Sequence, residues 1–131
     1  MLLNKLFLDS LCEKAKKNFR LRINFDLRNS DQDQSQRMLN ALHPGTILPI
    51  HRHPSTSETI IVIQGSVTQK FYDEDGKLTK SYILKAGSNH VIVHIPAGMW
   101  HNLDCLEEDT VIFEAKDGAY QPLKEEDIKT I

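Results

Sequence analysis

Val67-Thr68-Gln69-Lys70-Phe71-Tyr72, then Asp73-Glu74-Asp75-Gly76-Lys77, then Leu78-Thr79-Lys80-Ser81-Tyr82-Ile83-Leu84: two alternating runs flank a turn that closes on Asp-Gly. An Asp-Gly pair in that setting is the strongest short-range hairpin signal. The stretch therefore predicts two antiparallel strands, and the same rhythm continues on both sides of it. Upstream, residues 38–42 end at His43-Pro44-Gly45 and residues 59–63 end at Gln64-Gly65. Downstream, the second strand closes on Lys85-Ala86-Gly87, residues 91–95 on Pro96-Ala97-Gly98, and residues 110–114 near Asp117-Gly118. Short strands with turns at regular intervals and no helices between them predict an all-β chain, a single-domain antiparallel β-sandwich or barrel.

The remaining segments are extensions of that unit. Residues 10–18 carry Leu11 and Ala15, with Phe19 following, at near-helical spacing behind Ser10, which predicts a short N-terminal helix. Leu21, Ile23, Phe25 and Leu27 alternate with polar residues as in a half-buried strand. Residues 29–36 are almost purely polar and read as an exposed loop, and the residues leave open whether it closes over the barrel. The expected organisation is a helix, strand and loop over 1–35 packing on the barrel, a barrel over 36–117 and a tail or arm over 118–131.

With 131 residues there is room for one domain. Sixteen Lys and Arg against eighteen Asp and Glu give a net charge of −2, which argues against nucleic acid as a partner. No apolar run reaches membrane-spanning length, and Asp9 and Glu13 interrupt the apolar N-terminus, so neither a membrane span nor a signal peptide is expected. Two separated cysteines, Cys12 and Cys105, indicate no disulfide framework and fit a cytoplasmic location. Residues 60–63 and 91–93 are apolar on both faces, so something must cover the outside of the sandwich: the N-terminal extension, or the second subunit of a homodimer.

Composition does not explain the histidines. There are six, all between His43 and His101. His51 and His53 are two apart, and in extended backbone such residues project from one face with Cα atoms roughly 6.5–7 Å apart, close enough to converge on one ion. Glu58 opens the next apolar run, and His101 follows the Pro96-Ala97-Gly98 turn. Three imidazoles and a carboxylate form a mixed N/O set suited to one divalent transition metal ion, Fe, Mn, Ni or Zn, rather than Mg or Ca. Such an ion would keep two positions open for a small-molecule ligand. Taken singly, a His-x-His pair is more often a surface pair, and a Glu opening a strand is usually just solvated.

The spacing Gly45-x5-His51-Arg52-His53-x4-Glu58-x6-Gly65 resembles the first cupin motif at every defining position. Pro96-Ala97-Gly98-Met99-Trp100-His101 resembles the second, with His90 where that motif usually opens on Gly and Cys105 where it ends on Asn. The resemblance implies a jelly-roll barrel in which His51, His53, Glu58 and His101 hold the metal. More closely, Arg22-Ile23-Asn24-Phe25, Gln36-Arg37 and His51-Arg52-His53-Pro54 resemble the small WbuC-type cupin metalloproteins, which are found with sugar and surface-polysaccharide genes. This implies a metal-dependent cupin enzyme acting on a small oxygenated substrate such as a sugar derivative. Isomerase, epimerase and oxygenase chemistry all remain open, and the alternative is a non-catalytic metal-dependent binding module. An enzyme needs an acid or base beside the ligands; His94 is the candidate, and Trp100 is a candidate substrate platform. The competing expectation for His94 is a strand histidine bonded to backbone, and for Trp100 plain packing.

Overall fold

In the computed structural model, which describes residues 1–129, two antiparallel five-stranded sheets face each other. A helix, α1 (Lys5–Lys17), precedes β1 (Arg22–Asp26), β2 (Ser35–Leu42), β3 (Ile50–His51), β4 (Glu58–Gln64) and β5 (Ser66–Tyr72). Then come β6 (Leu78–Lys85), β7 (Ile92–Ile95), β8 (Trp100–Cys105), β9 (Thr110–Asp117), a 3₁₀ turn (Glu125–Asp127) and β10 (Ile128–Lys129). One sheet runs β1-β2-β9-β4-β7 and the other β10-β3-β8-β5-β6. This is the all-β sandwich the turn rhythm predicts, with its single N-terminal helix. The Asp-Gly hairpin is β5-β6, and the Asp73 carboxylate accepts from the amides of Asp75 and Lys77 to hold the turn.

The helix begins earlier than its sequence pattern suggests. Asn4, not Ser10, caps it, accepting from the Phe7 amide at 3.0 Å, while the Ser10 hydroxyl donates back to the Phe7 carbonyl inside the helix. Phe19 lies beyond the helix and is 92% exposed. Leu8, Leu11, Cys12 and Ala15 bury the helix against Leu39, Ala41 and Val111, with Ile23, Phe25 and Phe113 packed beside them. The apolar face of β1 therefore turns outward to the helix.

That orientation decides what lines the interior. Strand side chains alternate between faces, so the register Arg22↔Leu42 and Asn24↔Asn40 puts Arg22 and Asn24 on the inner face with Leu42 and Asn40. The same face continues through Ile112, Glu114 and Lys116 of β9 to Glu58, Ile60 and Val62 of β4. One end of the interior is apolar, built from Leu42, Ile60, Val62, Val67, Phe71, Leu84, Ile95, Leu103 and Ile112. The other end is polar and open.

The tail runs as an arm. It returns to the second sheet, where β10 pairs with β3, and buried Asp127 accepts from Arg52 Nε at 2.9 Å. Arg52 also stacks 4.6 Å from the Trp100 ring.

Candidate metal centre

Four side chains from both sheets meet at the polar end of the interior. His51 and His101 are cross-strand partners on β3 and β8, His53 follows two residues beyond His51, and Glu58 opens β4 in the opposite sheet. Their ligand atoms all lie within 4.8 Å of one another. Ring centroids are 4.3 Å apart for His51 and His101, 5.1 Å for His51 and His53, and 5.8 Å for His53 and His101.

Hydrogen bonds fix which nitrogen faces the centre. His51 Nδ1 lies 2.9 Å from the Pro49 carbonyl and His101 Nδ1 lies 2.8 Å from the Met99 carbonyl. A carbonyl only accepts, so each Nδ1 carries the proton and each Nε2 presents a lone pair inward, the second-sphere arrangement typical of metal-bound histidine. His101 Nε2 then stands 2.6 Å from Glu58 Oε1, and the Nε2 atoms of His53 and His101 are buried without a hydrogen-bond partner. Two acceptors facing each other at this distance need a proton or a metal ion between them. The donor set thus fits a divalent ion.

Electrostatics support the same state of the ligands. Burial lowers His51 to about 4, and His101 and His53 add to the effect against the Pro49 carbonyl. Burial and the nearby Lys116 ammonium lower His53 to about 4. Burial works to raise Glu58, but contact with His101, Lys116 and His53 overcomes it and leaves the carboxyl well below its usual range. At neutral pH His51 and His53 are neutral imidazoles and Glu58 is a carboxylate, the forms a metal requires of them.

The cluster opens on a cavity of about 360 Å³. Its walls include Arg22, Asn40, Glu114 and Lys116 from the first sheet, and Tyr120, Gln121 and Leu123 from the tail. The tail, rather than the 29–36 loop, contributes to its mouth.

Two sequence expectations are corrected here. His94 does not line this cavity: Ile95 pairs with Glu58 and faces in, so His94 pairs with Thr59 and faces out, exposed, its Nδ1 3.1 Å from the Thr59 hydroxyl rather than bonded to backbone. Trp100 is also turned away, because its neighbour His101 points inward. It is 4% exposed, packed with Ile50 and Tyr72, and donates to Glu74. His43 and His90 lie outside the cluster.

Glu114 is the group that sequence reading missed. It lines the cavity, where burial and the neighbouring Glu58 charge raise its carboxyl to about 7 against the pull of Lys116 and His101. Its signal was available: Val111 and Phe113 alternate with Ile112 and Glu114, so one face of β9 becomes charged where the other remains apolar.

With the geometry in place, comparison with known proteins adds the family. Residues 3–84 match the model of a domain of unknown function (DUF6016). The chain belongs to that family. A germin-like protein from Morus alba is 43% identical over 61 residues, which are 46% of this chain and 27% of that protein. Among solved structures, the capsular polysaccharide assembling protein CapF of Staphylococcus aureus aligns with a TM-score of 0.64 at 20% identity, over 76% of this chain and 27% of that one. KdgF from Halomonas sp. aligns with a TM-score of 0.61 at 14% identity, over 76% and 82%. A Bacillus subtilis oxalate decarboxylase variant aligns with a TM-score of 0.54 at 24% identity, over 66% and 22%. This chain thus spans only about a quarter of the germin-like and CapF chains. The structural likenesses establish the cupin fold.

Proposed function

We propose that this chain is a mononuclear divalent-metal cupin acting on a small oxygenated substrate, a sugar derivative in particular. The observation that carries this reading is the convergence of His51, His53, Glu58 and His101, with inward lone pairs left unpartnered, at the end of a cavity of about 360 Å³. A divalent ion held there would supply Lewis-acid polarisation, or one-electron chemistry if it is iron, to oxygens of a bound ligand. The chain's own residues do the rest. Glu114, with its carboxyl near 7, can hold or give up a proton at neutral pH. Lys116, 3.8 Å from Glu58, keeps that carboxylate ionised, and Tyr120 and Gln121 narrow the mouth. The WbuC-like residues Arg22-Ile23-Asn24-Phe25 and His51-Arg52-His53-Pro54 support a sugar-related role.

The second reading, a non-catalytic binding module, is favoured by the outward turn of His94 and Trp100. Glu114 favours the enzyme. The metal assignment is tested by elemental analysis of wild type and of His51→Ala and His101→Ala after equilibration with Mn, Fe, Ni or Zn. We expect one ion per wild-type chain and at least a tenfold loss of affinity in each variant. Undiminished metal in both variants would end the assignment.

The assembly we propose is a homodimer. The helix covers β1, β2 and β9, which leaves the outward pair Ile61 and Ile92 together with Ile63 on β4 and β7; Ile63 and Ile92 are 43% and 55% exposed. A second copy laid on this face would bury it. Light scattering at micromolar concentration should give twice the chain mass, and a value near 15.0 kDa would contradict this. A reducing cytoplasm suits the two free, buried cysteines, whose thiols burial raises above their ordinary range.

A further inference from the structure

The wall formed by β1 carries charge that the metal cluster does not use. Arg22 is half-buried, and its Nη1 donates to Thr46 Oγ1 at 3.3 Å and to the Ile47 carbonyl at 3.1 Å. The side chain is thereby anchored through one nitrogen, leaving the Nε and Nη2 edge without a protein partner among these bonds. Arg20 lines the same cavity. Among the described residues, neither guanidinium is in an ion pair with a carboxylate, whereas Arg28, Arg37 and Arg52 each are. Two neighbouring cations thus line the cavity with no carboxylate in contact with either, an arrangement that a bound anion would complete. Burial, and then Arg20, lower the Arg22 pKa, in keeping with that crowding.

The backbone between them is unusual as well. Leu21 has φ +57, a left-handed conformation that non-glycine residues rarely adopt. It is held there from several sides: its amide donates to the Asn18 carbonyl, its carbonyl accepts from His43, and the Thr46 hydroxyl donates to the Arg20 carbonyl. Backbone strain fixed by this many bonds, placed between two cavity-lining arginines, is a mark of a functional position.

We propose that Arg22, seconded by Arg20, recognises the carboxylate of a small hydroxy- or keto-acid whose remaining oxygens face the His51, His53, Glu58 and His101 cluster. This rests on the metal reading above and narrows its substrate class from small oxygenated molecules to acids. The free Nε and Nη2 edge of Arg22 offers two parallel donors, which match the two oxygens of a planar carboxylate. A phosphate would bring a second negative charge into a cavity that already contains Glu58 and Glu114. Lys116 does not supply the anion site, because its ammonium lies beside Glu58.

The test uses matched probes that differ in the carboxylate: gluconate against glucitol, and glycerate against glycerol, with inorganic phosphate as the competing anion. Binding is measured by calorimetry on metal-loaded wild type, Arg22→Gln and Arg20→Gln, with metal content determined in each. Wild type should bind at least one acid tenfold more tightly than its alcohol. Arg22→Gln should keep its metal and lose that preference, and Arg20→Gln, an exposed position, should weaken it about threefold. Failure of both acids to bind, an undiminished preference in Arg22→Gln, tighter binding of phosphate, or loss of metal from Arg22→Gln would each overturn the proposal. The metal reading fails separately, if wild type takes up no metal. Arg22-dependent gluconate binding in that metal-free protein would leave the anion site standing.

Discussion

Gly65→Ala should destabilise the fold by about 3–4 kcal/mol, the sum of a left-handed backbone penalty and an overpacking cost. Gly65 has φ +78, and a Cβ there would sit 2.7 Å from the Cα of Thr110 and against its side chain. Neither can yield, because Thr110 is fully buried, and its hydroxyl accepts from the Ser66 amide and donates to the Glu107 carbonyl at 2.8 Å. This close approach joins the β4-β5 corner to the start of β9, the strand that carries Glu114 and Lys116. Gly87→Ala is the control: its φ of +76 is similar, but nothing lies within 4 Å of the added carbon. It should cost only about 1 kcal/mol. Urea melts of the two variants measure the difference, and equal midpoints would refute the packing account.

Metal removal should lower stability by roughly 4 kcal/mol when the free ion is at a thousand times its dissociation constant, which is on the order of 12–16 °C in Tm for a domain of this size. The metal-free protein should then show opposing pH trends. Folded His51 and His53 stay neutral down to about 4, whereas the unfolded chain takes up protons near 6.5. Stability is therefore lost as pH falls from about 6.5 towards 4, by about 3 kcal/mol from His51 and less from the more accessible His53. Glu114 has the opposite sign. Its raised carboxyl favours the fold below about 4.5, and that contribution disappears as pH rises through about 7. Metal-free Glu114→Gln should accordingly be more stable than wild type at pH 8 and no more stable at pH 4. Bound metal should persist well below pH 6.5, because protons compete for folded His51 and His53 only near 4. Thermal melts across pH, with and without chelator, read all of these; a Glu114→Gln variant less stable at pH 8 would show that the carboxyl is not enclosed as described.

Much of this architecture is legible in the chain because turns and ligands have local signals. Asp75-Gly76 marks the hairpin, and the two motifs mark the strands that converge on the metal site. What escaped reading was set by partners distant in sequence. Trp100-His101-Asn102-Leu103-Asp104-Cys105 forms β8 although its inward face opens on a histidine, a pattern that reads as loop until the opposite sheet supplies Glu58. The alternation in β1 was visible, but not that its apolar face belongs to the helix and its arginine to the cavity. The tail gives no strand signal, because β10 is two residues long and is held by Asp127 on Arg52. The cupin resemblance implies an interior position for His94, and adjacency to His101 suggests Trp100 as a platform, but strand alternation sends both of them outward.

The central claim is that this cupin-fold chain holds one divalent ion between its sheets. Diffraction from metal-equilibrated crystals, collected at the absorption edges of Mn, Fe, Ni and Zn, tests it most directly. The account predicts one anomalous peak per chain, bounded by the Nε2 atoms of His51, His53 and His101 and a carboxylate oxygen of Glu58. No peak at any edge, or a peak that lies elsewhere on the chain, would contradict it.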